Sequence, residues 1–289
     1  MNLFDRLVQQ ALQARPGLSA LQAVVEKELL HHDILREMSE AGLLSNLTFI
    51  GGTCLRACYG SERLSEDLDF TGGEDFTRDR MADLGPVLES RIGERYGLPV
   101  SVSEPRRERV GNVDTWKFSL ITRPEGRHLP AQRIHVDVCA LPSFDRRPMM
   151  LRNLQGVDLG TSGLILQAES REEILADKVI ALALRPNRVK HRDLWDIAWL
   201  KREGVTLPIE ILPRKIQAHG SPADTFLATL ATRVSELRKG ERIRDDFVGE
   251  MRRFLPPNLA RQTIEAPPFW DYLIDTVSAE CASVLQALG

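Results

Sequence analysis

FIGGTCLRACYGSERLSEDLDFTGG, residues 49–73, is the densest polar constellation of the chain, set between a strand and a glycine turn. The apolar run LTFI at 47–50 reads as a short buried strand and passes directly into Gly51-Gly52-Thr53. Residues 53–59 then read as a brief helix, DLDFT at 67–71 alternates as a strand, and Gly72-Gly73 makes a turn. Two glycines at a strand-to-helix bend let the backbone approach a ligand closely, and the opening turn of the helix leaves N–H groups free to hold phosphate oxygens. Thr53 adds a hydroxyl at the same spot. A tight connection with no ligand would use the same glycines.

The two acids of this stretch narrow the choice. Side chains alternate along a strand, so Asp67 and Asp69 share one face while Leu68 and Phe70 point to the core. Two carboxylates aimed at one spot repel each other unless a cation lies between them. Hard cations such as Mg²⁺ take one or two carboxylates together with substrate phosphates. A solvated sheet edge carrying two surface aspartates is the alternative. A third acid lies in RIHVDVCAL, 133–141, where Ile134, Val136 and Val138 face one side and His135, Asp137 and Cys139 the other. A carboxylate among apolar strand neighbours is costly to bury alone. Sharing a cation with Asp67 and Asp69 would relieve that cost, and so would a structural hydrogen bond.

Outward from this core, Leu3, Leu7 and Leu12 predict a helix over 3–14, and Leu21, Val25, Leu29, Ile34, Leu35 and Met38 a longer one over 18–43, ended by Gly42. Residues 77–96 return to helical spacing. Period-two patterns follow at 100–104, 113–121, 133–141 and 164–168. Ser170 with Glu173 has capping-box spacing and opens a helix to about Leu184; Pro186 breaks it, and a second helix covers 189–202. Beyond it, prolines at 208, 222, 256–257 and 267–268 separate further helices. The expected architecture is α+β, with N-terminal helices and a mixed sheet over 1–168 and a helical domain over 169–289.

Composition bounds the function. The 289 residues are 43% hydrophobic and 27% charged, which excludes a disordered or low-complexity chain. A net charge of −3 excludes a wholesale cationic coat but leaves room for a local basic groove. The 31 Arg against 7 Lys suit bidentate phosphate contacts without demonstrating them. The four cysteines are scattered and read as small buried residues rather than metal ligands. MNLFDRLVQQALQARPG carries Asp5 and lacks a signal-peptide core, and no run approaches the ~20 apolar residues of a membrane span. A soluble, cytoplasmic protein with no membrane partner is expected.

A second polar block is ILADKVIALALRPNRVKHRDLWDIAWL, 174–200. Lys178 borders a stripe of Leu175, Val179 and Leu182, as a snorkelling lysine would. Asp193 and Asp196, three apart, share a helix face beside Arg192, as an ordinary ion-pair cluster would. Arg185, Arg188, Lys190, Arg192, Lys201 and Arg202 outnumber those two acids, an excess that suits a triphosphate or an RNA backbone. EPRRER at 104–109, with Arg123, Arg127 and Arg133, would extend the same surface. Trp195 and Trp199 read as core.

The first block resembles the nucleotidyltransferase motif of the polymerase-β-like superfamily, and most of all the AbiEii/AbiGii toxin family, through Gly51, Gly52, Thr53, Leu55, Arg63, Ser65, Asp67, Asp69 and Phe70. The second is similar to that family's later block through Lys178, Arg192, Asp193 and Asp196. The resemblance implies a polymerase-β-like sheet and Mg²⁺-dependent transfer of NMP from an NTP. Asp67, Asp69 and Asp137 would be the metal ligands, Asp137 alternatively the proton acceptor. Gly51, Gly52, Thr53, Arg63, Ser65 and Lys178 would hold the NTP. Asp196, with Asp193 second, would orient Lys178 or the acceptor. The implied partners are the tRNA 3′ end, with growth arrest as the outcome, and a cognate antitoxin protein. Transfer to a protein or small molecule, and an inactive module that only binds RNA or a partner, are the alternatives.

Overall fold

Alternating apolar residues assemble into one seven-stranded mixed sheet. Its strands are β1 (Thr48–Ile50), β2 (Leu68–Thr71), β3 (Val100–Ser103), β4 (Val113–Leu120), β5 (Gln132–Cys139), β6 (Arg146–Met150) and β7 (Ile165–Glu169), in the order β3-β4-β5-β2-β1-β7-β6. The computed structural model describes residues 1–106, 111–124, 130–186, 189–239 and 241–289. They divide into two compact units, Met1–Glu169 and Ser170–Gly289.

In the first unit β2 lies at the centre, antiparallel to β1 and parallel to β5. Leu68, Ile134, Val136 and Val138 are fully buried on one sheet face. The Phe49 and Phe70 rings stack there at 5.1 Å, a pairing worth about 0.5–1.5 kcal/mol beyond burial. Helices α1 (Leu3–Ala14), α2 (Gln22–Glu40), α3 (Gly51–Tyr59) and α4 (Leu84–Tyr96) complete the unit. The Asn2 side chain caps α1 by accepting the Asp5 N–H at 2.8 Å.

Three local differences from the sequence reading have physical causes. The expected 18–43 helix opens with a 3₁₀ turn at Pro16–Leu21 before α2 begins. The expected 77–96 helix is a short 3₁₀ turn, Arg78–Met81, followed by α4, whose first turn takes Pro86 because no intrahelical N–H is needed there. Strand β6, RRPMM, has no alternation and contains Pro148, but it is an edge strand paired only to β7, where proline is tolerated.

The second unit is helical: α5 (Arg171–Leu184), α6 (His191–Arg202), α7 (Leu212–Ala218), α8 (Ala223–Lys239), α9 (Glu241–Met251), α10 (Pro257–Gln262) and α11 (Pro267–Leu288). Ser170 caps α5 by accepting the Glu173 N–H at 3.1 Å. Leu194, Ile197, Phe226, Leu230, Phe247, Leu273 and Val277 fill its core, and Trp195 and Trp199 are buried with them. Among the described residues, no helix is long and apolar enough to cross a membrane.

Candidate active site

The bend between β1 and α3 is built around glycine. Ile50 is extended, Gly51 takes φ +74°, and α3 starts at once. The antiparallel register sets Ile50 opposite Asp69, so the chain leaves the sheet beside that carboxylate. A Cβ on Gly51 would meet Asp69 Oδ2 at 3.0 Å. Glycine is therefore required both for the left-handed backbone and for the space that Asp69 occupies. Gly51→Ala is expected to cost about 1–2 kcal/mol from the backbone alone and to lower turnover at least tenfold by displacing Asp69. Melting temperature and initial rate check this; an alanine enzyme with unchanged rate would place the chemistry elsewhere.

The parallel register of β2 and β5 pairs Asp69 with Asp137 on neighbouring strands. Residues in register point to the same side, and Asp67 shares it by alternation. Asp67 Oδ1 accepts the backbone N–H of His135 at 3.1 Å and lies 3.5 Å from His135 Nδ1. Asp67 thus extends the β2–β5 ladder past its last backbone bond, a structural use its motif position did not suggest. Among the described residues, no three His, Cys, Asp or Glu side chains form a ready-made metal cluster. Mg²⁺ is commonly bound by one or two carboxylates, with substrate phosphates and water completing its shell. The Asp69–Asp137 pair beside the helix start fits that requirement.

Thr53, Arg63 and Ser65 are all buried. Thr53 Oγ1 lies 2.7 Å from Ser65 Oγ and donates to the Asp67 carbonyl, tying α3 to the approach of β2. The Arg63 guanidinium donates to the Leu64 carbonyl at 2.9 Å. Beneath this loop Glu28 of α2 acts as a clamp. Its carboxylate accepts Arg56 Nε at 2.9 Å and Nη2 at 3.1 Å, the Ser65 N–H at 3.4 Å, and the Gln155 amide. Arg56 reaches on to the Ser61 carbonyl at 2.8 Å, and His31 Nε2 is 3.0 Å from the Glu66 carbonyl. Three of the residues expected to touch nucleotide therefore brace the loop from inside. The sequence signal for the clamp was the set of charges within the apolar stripe of α2, which the helical pattern alone left unexplained.

The residues of the later block meet in the second unit. Lys178 Nζ on α5 lies 2.7 Å from Asp193 Oδ1 and 2.8 Å from Asp196 Oδ2, both on α6. Arg185 Nη1 holds the other Asp193 oxygen at 2.7 Å. Burial on its own pushes the Asp193 carboxyl up, but Lys178 and then Arg185 outweigh it and hold the group below its ordinary value. A depressed carboxyl contributes stability above its unfolded value that is lost as pH falls through the folded one. The wild-type protein should therefore lose stability below about pH 4, and Asp193→Asn should flatten that acid limb. Melting temperature against pH tests this; equally steep limbs would contradict it.

The expected basic excess over 185–202 is largely neutralised, in part by Glu250 and Glu280 far downstream and in part by Asp193 and Glu203 close by. Lys201 pairs with Glu280 at 2.9 Å, Arg192 lies 3.7 Å from Glu250 and over the Phe254 ring, and Arg202 is 3.7 Å from Glu203. Arg123 and Arg133 are exposed. Arg107, Arg109, Arg127 and Arg188 lie outside the described residues. The four cysteines are free thiols, and burial pushes Cys54 well up and Cys281 up to about 12, so both are unreactive.

A strand-to-helix glycine bend facing paired strand aspartates in a mixed sheet fits a nucleotidyltransferase, and the family match gives that class. The chain belongs to the family described as nucleotidyl transferase AbiEii toxin, type IV toxin–antitoxin system, which matches residues 33–274. It is thus a nucleotidyltransferase toxin, an enzyme class that uses an NTP and a divalent metal ion, and the family implies a protein antitoxin. Among solved structures it is similar to MenT4, a nucleotidyltransferase toxin from Mycobacterium tuberculosis, at 16% identity and TM-score 0.57 over 99% of this chain and 92% of that one. It is also similar to JHP933 from Helicobacter pylori, at 14% identity and TM-score 0.44 over 92% of this chain and 94% of that one. No curated protein sequence matches it significantly.

Proposed function

We propose that this toxin transfers NMP from an NTP to the 3′ end of tRNA in the cytoplasm, using Mg²⁺. The observation that carries the reading is the contact zone of Gly51 and Asp69, where absence of a Cβ leaves the carboxylate beside the start of α3. There the free N–H groups of α3 receive phosphate oxygens. Asp69 and Asp137, with Asp67 behind them, would hold the Mg²⁺, which when bound neutralises phosphate charge. An acceptor hydroxyl oxygen bonds to the α-phosphorus, the bond to pyrophosphate breaks, and the hydroxyl proton passes to a carboxylate, for which Asp137 is our choice. Thr53, Arg63 and Ser65 keep the loop in place. By its resemblance Lys178 is the phosphate-neutralising cation, oriented by Asp196 and Asp193.

The test is incubation with each of the four labelled NTPs, total RNA and cell extract. Label on tRNA supports the reading. Label on protein or small molecules would move the acceptor to another class, and label on nothing would make the chain a binding module.

A further inference from the structure

A second polar site lies on the sheet face that carries Asp69, further along the same strands. The alternation that aligns Asp67 with Asp69 continues to Thr71. The register sets Thr48 against Thr71 just as it sets Ile50 against Asp69. Thr48 and Thr71 are each 3% exposed and help line a cavity of about 620 Å³, with Asn46 and Ser143 beside them. Two guanidinium groups, from Arg80 and Arg146, also line it. Arg80 carries one carboxylate, Asp75, at 2.8 Å, and that acid is 79% exposed. Arg146, exposed on the edge strand β6, forms no ion pair among the described residues. With Asp75 also in the lining, two guanidinium groups against one carboxylate keep a positive excess; the Thr71 hydroxyl already donates to the Leu141 carbonyl, Asn46 adds an amide, and there is no aromatic ring.

That chemistry suits phosphate and sugar oxygens rather than stacked bases. The spacing is informative as well. Thr71 is two residues from Asp69, about 7 Å at strand rise, and a stacked nucleic-acid strand advances about 3.4 Å per nucleotide. A chain whose terminal hydroxyl sits at Asp69 would pass Thr71 about two nucleotides back, on the side of the cavity that Arg80 and Arg146 line.

We propose that this cavity grips backbone phosphates of the acceptor RNA strand behind its reacting end. The inference rests on the RNA-acceptor reading above and supplies the contact that distinguishes a polynucleotide from a small acceptor. The variant to make is Arg80→Gln with Arg146→Gln in the full chain; both side chains are exposed, so the fold should survive. Fluorescence anisotropy with a short fluorescein-labelled single-stranded RNA should show about tenfold weaker binding. The slope of log affinity against log salt should fall by about 1.4, since each phosphate contact on a single strand contributes about 0.7. In the transfer assay the KM for RNA should rise while kcat and the KM for NTP stay unchanged.

Unchanged RNA affinity and salt slope would overturn the proposal, as would a rise in the KM for NTP, which would give the cavity to the triphosphate. Loss of protein labelling at intact RNA affinity would also overturn it, in favour of a protein acceptor. The two readings fail separately. RNA labelled as before by the double variant, with unchanged KM, removes the subsite and leaves the acceptor. Weakened RNA binding in a protein that labels no RNA removes the acceptor reading and keeps the phosphate site.

Discussion

Asp69→Ala is expected to lower nucleotidyl transfer by on the order of 10³-fold or more while the protein stays folded. Phosphoryl transfer asks little covalent chemistry of the protein and depends on positioning and charge neutralisation. Asp69 is the carboxylate that both lies against Gly51 and stands in register with Asp137. Its removal also relieves repulsion between two acids on one face, so the melting temperature should hold or rise. Single-turnover label incorporation and thermal unfolding on the same preparation check both halves. An unfolded Asp69→Ala protein would make the residue structural, and an active one would remove it from the reaction.

Glu28→Ala should give the largest loss of stability. Glu28 and Arg56 are 6% exposed at their side chains, and the carboxylate also receives the Ser65 N–H and the Gln155 amide. Truncating one partner of a buried ion pair leaves the other charge uncompensated and costs about 3–5 kcal/mol. For a unit of this size that lowers Tm by roughly 10 °C. The loop over 61–65 leads directly into Asp67, so turnover should fall with it, and Glu28→Gln should recover part of both. A Tm unchanged in Glu28→Ala would show that the clamp contributes nothing.

What the sequence disclosed was local and periodic. Period-two patterning located β2, β3, β4, β5 and β7, and alternation put Asp67 and Asp69 on one face of their strand and Asp137 on one face of its own; the register that brings Asp137 beside Asp69 was not in the pattern. The Gly-Gly-Thr bend was readable because positive φ beside a strand end calls for glycine. The capping pair Ser170 and Glu173 marked the start of the helical unit.

What it hid depends on partners far apart in the chain. Glu28 meets Arg56 and Gln155 only after α2 folds against the sheet, and nothing near Asp67 announced its bond to the His135 N–H. The charges of 185–202 read as a basic surface because Glu250 and Glu280, which neutralise Arg192 and Lys201, lie well downstream. β6 was illegible because an edge strand with Pro148 needs no alternation. The cavity at Thr48 and Thr71 draws on four separate segments, none distinctive alone.

Following the two ends of the triphosphate tests whether Asp69 carries nucleotidyl transfer. Wild-type and Asp69→Ala protein are incubated with RNA and NTP labelled on either the α- or the γ-phosphate. Wild type should attach α-label to RNA, γ-label should leave entirely with pyrophosphate, and Asp69→Ala should attach neither. Attachment of γ-label, or α-label incorporated equally by Asp69→Ala, would contradict that role.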